Sequence, residues 1–240
     1  MASQEPAGHN EDHHRNVSGG GLRAAVFGMS DGLVTNVSLI LGVAGAHPGG
    51  PFVRLAGVAG LVAGAFSMAA GEFVSMRAQS ELMLRELEVE RVALKRSPTD
   101  ERDELVAIYE GRGIHRQVAE QLVDEIMADP ELALETHARE ELGFDPRAIG
   151  SPIQASASSF VSFAVGAVLP LLPWLVGSGT AATVASIAIG GVTALVVGVL
   201  VGVMTGRSRW RTALRQLVVA AVAAAVTFGI GRAVGVGVGT

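Results

Sequence analysis

Ser67–Glu81 reads SMAAGEFVSMRAQSE, and the placement of its acid decides the fold. Glu72 stands in a long apolar, glycine-rich run, with Met68 four residues before it and Met76 four residues after. At helical spacing the three side chains share one stripe. Upstream, Gly57, Gly60 and Gly64 fall at helical spacing and include a G-x-x-x-G, which lets a neighbouring backbone approach closely. Met68 and Glu72 continue that face, so a thioether and a carboxylate are presented to protein or to a path rather than to lipid. Downstream, SELMLRELEVERVALKR mixes leucines with charges, so the same helix is expected to leave the apolar phase and run on into water.

The rest of the chain supports a membrane reading. Of 240 residues, 49% are hydrophobic and only 17% charged, and the mean hydropathy is +0.42. The net charge of −5 conceals an uneven layout, because charges crowd between Glu72 and Arg147 and are sparse elsewhere. There is no cysteine, which excludes disulfides, thiolate metal sites and thiol catalysis. Lys95 is the only lysine, and with the excess of Ala, Gly and Val this points to a high-GC bacterial genome. Residues 1–20 are polar and acid-containing, unlike a signal peptide. They read as a disordered tail whose His9, His13 and His14, beside Glu11 and Asp12, either bind a metal ion loosely or are incidental.

A scan with a window of about 19 residues finds apolar segments near 22–46, 53–77, 153–177, 181–205 and 213–236. Each is long enough for a helix to cross a bilayer, which takes about 20 residues. Arg15, Arg23, Arg77, Arg85, Arg147, Arg207, Arg209, Arg211 and Arg215 all fall on one side of such a five-span chain, and only Arg54 and Arg232 on the other. The positive-inside rule then makes the N-terminus and residues 79–150 cytoplasmic and the C-terminus external. The expected protein is an all-α integral membrane protein of a bacterial cell membrane, with five transmembrane helices and a cytosolic helical insert between spans two and three. Its parts are a tail at 1–20, spans one and two at 21–78, the insert at 79–150, and spans three to five at 151–240.

Within the insert, Ser97 or Thr99 is expected to cap a helix ending at Gly111 or Gly113. A further helix spans about His115–Ala128, and Asp129 with Pro130 opens another that ends at Gly143. So few short helices bury little alone, and packing against a second copy would help.

An ionisable residue inside a span costs about 2.5–3.5 kcal/mol on insertion scales and is a functional candidate by default. Asp31 and Glu72 are two such residues, Asp31 continuing through Thr35 and Ser38 as a polar stripe. The plainer alternative is that both snorkel to the cytoplasmic interface. Carboxylate and thioether together favour a borderline transition metal over an alkaline-earth ion. In the insert, Glu86 with Glu90, Glu101 with Glu104, and His137 with Glu140 and Glu141 are spaced to share helix faces, as bundle metal sites require. The alternative there is a solvated charged surface with pairs such as Glu81 and Arg85.

At this point the chain resembles the vacuolar iron transporter family. GLRAAVFGMSDGLVTNVSLILGVAGA looks like its first span, SMAAGEFVSMRAQSELMLRELEVE its second, and ELGFDP the end of its insert. SSFVSFAVGAVLPLLPW and RTALRQLVVAAVAAAVTFGIGR are similar to its third and fifth spans. The resemblance implies a homodimer that exchanges cytosolic Fe(II) for protons, with Mn(II) as a further substrate. It implies that Asp31 and Met68 line the path with Glu72 nearby, and that Glu90, Glu101, Glu104 and Glu141 fall on metal ligands of the insert. Where plant members carry methionines near the end of the insert this chain has THAREE, in which His137 either substitutes as a ligand or is unrelated, and Ala93 stands where a further glutamate is expected.

The expected function is therefore export of Fe(II) or Mn(II) by proton antiport, the metal being cargo rather than a resident cofactor. The partners are metal, protons, lipid and a second copy, and not nucleic acid. The rival is a membrane-tethered metal buffer or sensor, distinguished by the lack of proton-coupled flux. No H-E-x-x-H, nucleophile elbow or phosphate-binding loop is present, so an enzyme is not expected.

Overall fold

The computed structural model describes residues 20–46 and 49–238. The expected tail, with His9, His13, His14 and Arg15, lies outside the described residues. Among the described residues all regular structure is helical: α1 (Gly20–Gly45), α2 (Gly50–Arg96), α3 (Pro98–Gly111), α4 (Arg116–Met127), α5 (Pro130–Glu140), α6 (Pro152–Val176), α7 (Gly179–Met204) and α8 (Arg209–Val238), with a 3-10 turn at Pro146–Ala148. Five of these, α1, α2, α6, α7 and α8, are long and apolar enough to cross a membrane.

Local chemistry explains most boundaries. Gly49 turns the chain into α2 with φ +89°, and Pro51 follows in the first turn, where a missing N–H is harmless. Asp129 caps α5 by accepting from the N–H groups of Glu131 (2.9 Å) and Leu132 (3.3 Å). Ser97 sits at the start of α3, but its hydroxyl makes no capping bond. α5 ends at Glu140, three residues before the expected Gly143, which lies beyond the helix with φ +73°.

Close approach sets the packing of the long helices. A Cβ on Gly32 of α1 would collide with the backbone oxygen of Phe163 on α6, and a Cβ on Gly64 of α2 with the ring of the same phenylalanine. Fully buried Phe163 is thus held between two glycines, with Ala65 and Ala167 beside it. Nearer the other end of the bundle, Gly57 and Gly60 bring α2 against Ile40, Asn36 and Leu39 of α1. Buried polar side chains of these helices bond backbone carbonyls. Asn36 Nδ2 donates to Ala167 O at 2.6 Å, and Ser186 Oγ to Pro170 O at 2.5 Å. The latter meets a helix turn disturbed by two prolines, Pro170 and Pro173.

α2 is continuous for 47 residues, about 70 Å at 1.5 Å per residue. A hydrocarbon core of about 30 Å accounts for less than half of that length. The far half of α2 packs on α5 and α3, which with α4 share a core of Leu105, Val106, Ala119, Val123, Ile126 and Ala133.

Candidate metal centre

Three elements converge at the far end of α2. Glu90 projects from α2, Glu101 and Glu104 from the first two turns of α3, His137 from the last turn of α5, and Glu141 from just past its end. Ligand atoms of Glu90, Glu101 and His137 lie within 4.8 Å of one another, and so do those of Glu101, Glu104 and Glu141. Two ligands on one ion at about 2.0–2.2 Å lie at most about 4.4 Å apart. Small rotations about side-chain bonds would therefore close either group on a cation, and Glu101 belongs to both.

The inner group is withdrawn from solvent. His137 is fully buried and Glu90 is 6% exposed. His137 Nδ1 lies 2.8 Å from the carbonyl oxygen of Ala133, one turn back, which assigns the proton of a neutral ring to that nitrogen. The other nitrogen, Nε2, then faces the Glu101 carbonyl oxygen at 3.2 Å and Glu90 Oε1 at 4.0 Å. Glu90 Oε1 itself is buried and accepts no hydrogen bond. A neutral ring thus brings a lone pair up against two electron-rich oxygens, and only a proton or a metal ion satisfies all three.

Electrostatics agree with that geometry. Burial and the neighbouring charge of Glu141, with smaller contributions from Glu101 and Glu104, push the Glu90 carboxyl up to about 7, opposed only by His137. Glu141 is raised in the same direction by burial, by Glu104 and by Glu101. Each carboxylate makes its neighbour harder to ionise, and a divalent cation would remove that penalty.

The remaining candidates are placed differently. Glu140, next to Glu141, turns away and pairs with Arg112. Glu86 is half-buried one turn before Glu90 and belongs to neither ligand group. Glu81 pairs with Arg77 at 2.6 Å rather than with the expected Arg85. Glu135, which sequence reasoning passed over, has a side chain only 12% exposed between Arg139 and Arg147, and it braces α5 against the turn at Pro146.

In the long helices, Asp31 is half-buried on α1 and accepts from Thr35 Oγ1 at 3.3 Å. Met68, half-buried, packs on the Ala65, Phe163 and Ala167 cluster, and Glu72 is half-buried one turn further along α2. Met76 is buried with its methyl group against Gly150, a packing position. Phe163 of α6 packs between Gly32 of α1, next to Asp31, and Gly64 of α2, one turn before Met68. Asn36, fully buried, is a further polar group of α1 that sequence reasoning did not single out. Its one signal is an amide among the apolar and hydroxyl residues of LVTNVSLI, residues 33–40.

Known proteins share this arrangement of sequence. A protein of Acanthamoeba castellanii named vacuolar iron transporter is 36% identical over 168 residues, which is 70% of this chain and 60% of that protein. The vacuolar iron transporter 1 of Oryza sativa subsp. japonica is 28% identical over 73% of this chain and 71% of its own length. That of Arabidopsis thaliana is 29% identical over 74% and 73%. The chain thus spans well under two thirds of the amoeban relative and somewhat more of the plant ones. All three are named as transporters rather than enzymes, in keeping with the lack of a catalytic motif. Residues 22–232 match the VIT family, from the start of α1 almost to the end of α8, and the chain belongs to that family.

Proposed function

We propose that the chain is a homodimeric proton antiporter that moves Fe(II), with Mn(II) as a second substrate, out of the cytosol. The observation that carries this reading is the continuity of α2, which bears Met68 and Glu72 at one end and Glu90 at the other, where the acids of α3 and the imidazole of α5 converge. The names of the relatives support iron as the cargo.

In this reading residues 79–150 form a cytosolic metal-binding domain between spans at 21–78 and 151–240. The N-terminus is cytoplasmic and the C-terminus external, in a bacterial cell membrane. Glu90, Glu101, Glu104, His137 and Glu141 capture the ion, Glu86 adds negative potential at the approach, and Glu140, paired with Arg112, ties the end of α5 to the end of α3. Glu72, Met68 and Asp31 then pass the ion through the membrane. Carboxylates that must lose a proton to bind metal also release metal when reprotonated on the acidic side, which couples the two fluxes. The metal is cargo, and no resident cofactor takes part.

Proteoliposomes with an acidic interior test the reading. Fe(II) uptake with matching proton efflux is expected, and Asp31→Ala should abolish both while leaving metal binding intact. Binding without proton movement would instead identify a membrane-tethered buffer or sensor. An Asp31→Ala protein that transports like the parent would remove the proposed route.

A further inference from the structure

The arginines of this chain fall into two populations. Between Arg77 and Arg147 most have a carboxylate partner, as Arg91 has Glu88, Arg102 Asp124, Arg116 Glu120, and Arg139 and Arg147 Glu135. From Pro152 to Thr240 the sequence has no Asp or Glu at all, yet Arg207, Arg209, Arg211 and Arg215 crowd the corner between α7 and α8. All four are exposed. Beside them Trp210 is 80% exposed, whereas the chain's other tryptophan, Trp174, is 3% exposed.

The corner is closely packed. Gly206 takes φ +65°, and the Arg207 N–H donates to Gly202 O at 3.0 Å. A Cβ on Gly202 would collide with the Thr212 hydroxyl, so the end of α7 and the start of α8 touch directly. Thr212, 5% exposed, donates back to Ser208 O at 3.1 Å. The four arginines are thus carried on a tightly closed turn, and Arg211 and Arg215 share one face of α8. Leu214 and Val218, 59% and 51% exposed, carry the same helix directly into its apolar length.

We propose that this corner is a binding site for anionic phospholipid headgroups. Among the described residues none of these four exposed arginines has a carboxylate partner, which suits them to an anionic ligand, and guanidinium is the side chain matched to phosphate. A free anion would satisfy the arginines but has no use for an exposed indole and two exposed aliphatic side chains. A lipid uses both, with phosphate on the arginines, Trp210 at headgroup level, and acyl chains along Leu214 and Val218.

The test uses the full chain in phosphatidylcholine vesicles containing phosphatidylglycerol, with bromine on the acyl chains of one lipid or the other at equal mole fraction. Brominated phosphatidylglycerol is expected to quench tryptophan emission well beyond brominated phosphatidylcholine. That preference should fall by about fivefold per arginine removed in Arg→Gln variants at 207, 209, 211 and 215. It should survive in the corresponding Arg→Lys variant and in Arg232→Gln, and weaken in high salt. If the Gln variant loses helix content, the Lys variant and the salt series carry the test alone. Equal quenching by the two lipids overturns the proposal, as does a preference that is insensitive to salt. Dissociation of a dimer by the Gln variant in pure phosphatidylcholine also overturns it, since the corner would then hold acids of a second copy.

Discussion

Nε2 of His137 stands 4.0 Å from Oε1 of Glu90, with the imidazole fully buried and the glutamate almost so. Neither atom has a hydrogen-bond donor of the protein directed at it. A buried acceptor facing a buried acceptor is unfavourable unless something positive lies between, so proton and metal compete for one position.

This competition gives the first prediction. Because the Glu90 carboxyl is raised from 4.5 to about 7 in the folded protein, the folded state holds the extra proton between those two values. Metal-free protein is then expected to lose stability as pH rises from about 4.5 to about 7, and to level off above. Metal affinity should run the other way, strengthening up to about pH 7 with release of a proton. Thermal unfolding against pH, and calorimetry of Mn(II) binding in buffers of different ionisation enthalpy, check the two halves. Glu90→Gln should flatten both profiles.

Glu101 is shared by both ligand groups, whereas Glu104 serves only the outer one. Glu101→Gln should weaken Mn(II) binding more than Glu104→Gln, and by at least the roughly tenfold that loss of even an outer partner of a metal ligand costs. Titration of the purified variants decides it, and equal losses would show that the two groups act as one.

His137→Ala removes a fully buried side chain and is expected to cost about 2–3 kcal/mol of stability through the cavity it leaves. His137→Met nearly conserves volume and replaces nitrogen with thioether sulfur. It should keep the fold and shift metal preference toward softer ions. Unfolding curves separate the first effect, and competition between Mn(II) and Co(II) reports the second.

The glycines allow a paired test of packing. Gly32→Ala places a methyl group against the backbone of Phe163, which cannot rotate away, so loss of monodisperse protein in detergent is expected. Gly71 has nothing within 4 Å of its Cβ position. Gly71→Ala should raise stability by about 0.4–1 kcal/mol through reduced freedom of the unfolded chain.

Much of the architecture was legible because length and hydropathy constrain membrane helices strongly. The five apolar segments, the glycine face of α2 and the Asp129 cap each rest on a single local rule. The ligand set was less legible, for a geometric reason. Glu140 and Glu141 are adjacent, so their side chains point about 100° apart around the helix. Which one meets Glu101 depends on how α5 docks, and helical spacing contains no such information. Asn36 escaped because it lies off the stripe formed by Asp31, Thr35 and Ser38, and Glu135 because its importance comes from Arg139 and Arg147 meeting it in space.

The unbroken course of α2 turns it into a lever. Its hold on the rest of the bundle runs from Gly64, against the Phe163 ring, through Ala69, whose carbonyl oxygen accepts from Ser156 Oγ at 2.9 Å, to Met76, packed on Gly150. Beyond Met76 the arm to Glu90 is about 21 Å at 1.5 Å per residue, and a tilt of about 10° there would carry Glu90 by about 4 Å. That displacement is close to the 4.8 Å spread of either ligand group, so a small rocking motion among the long helices would be felt at the ligand cage.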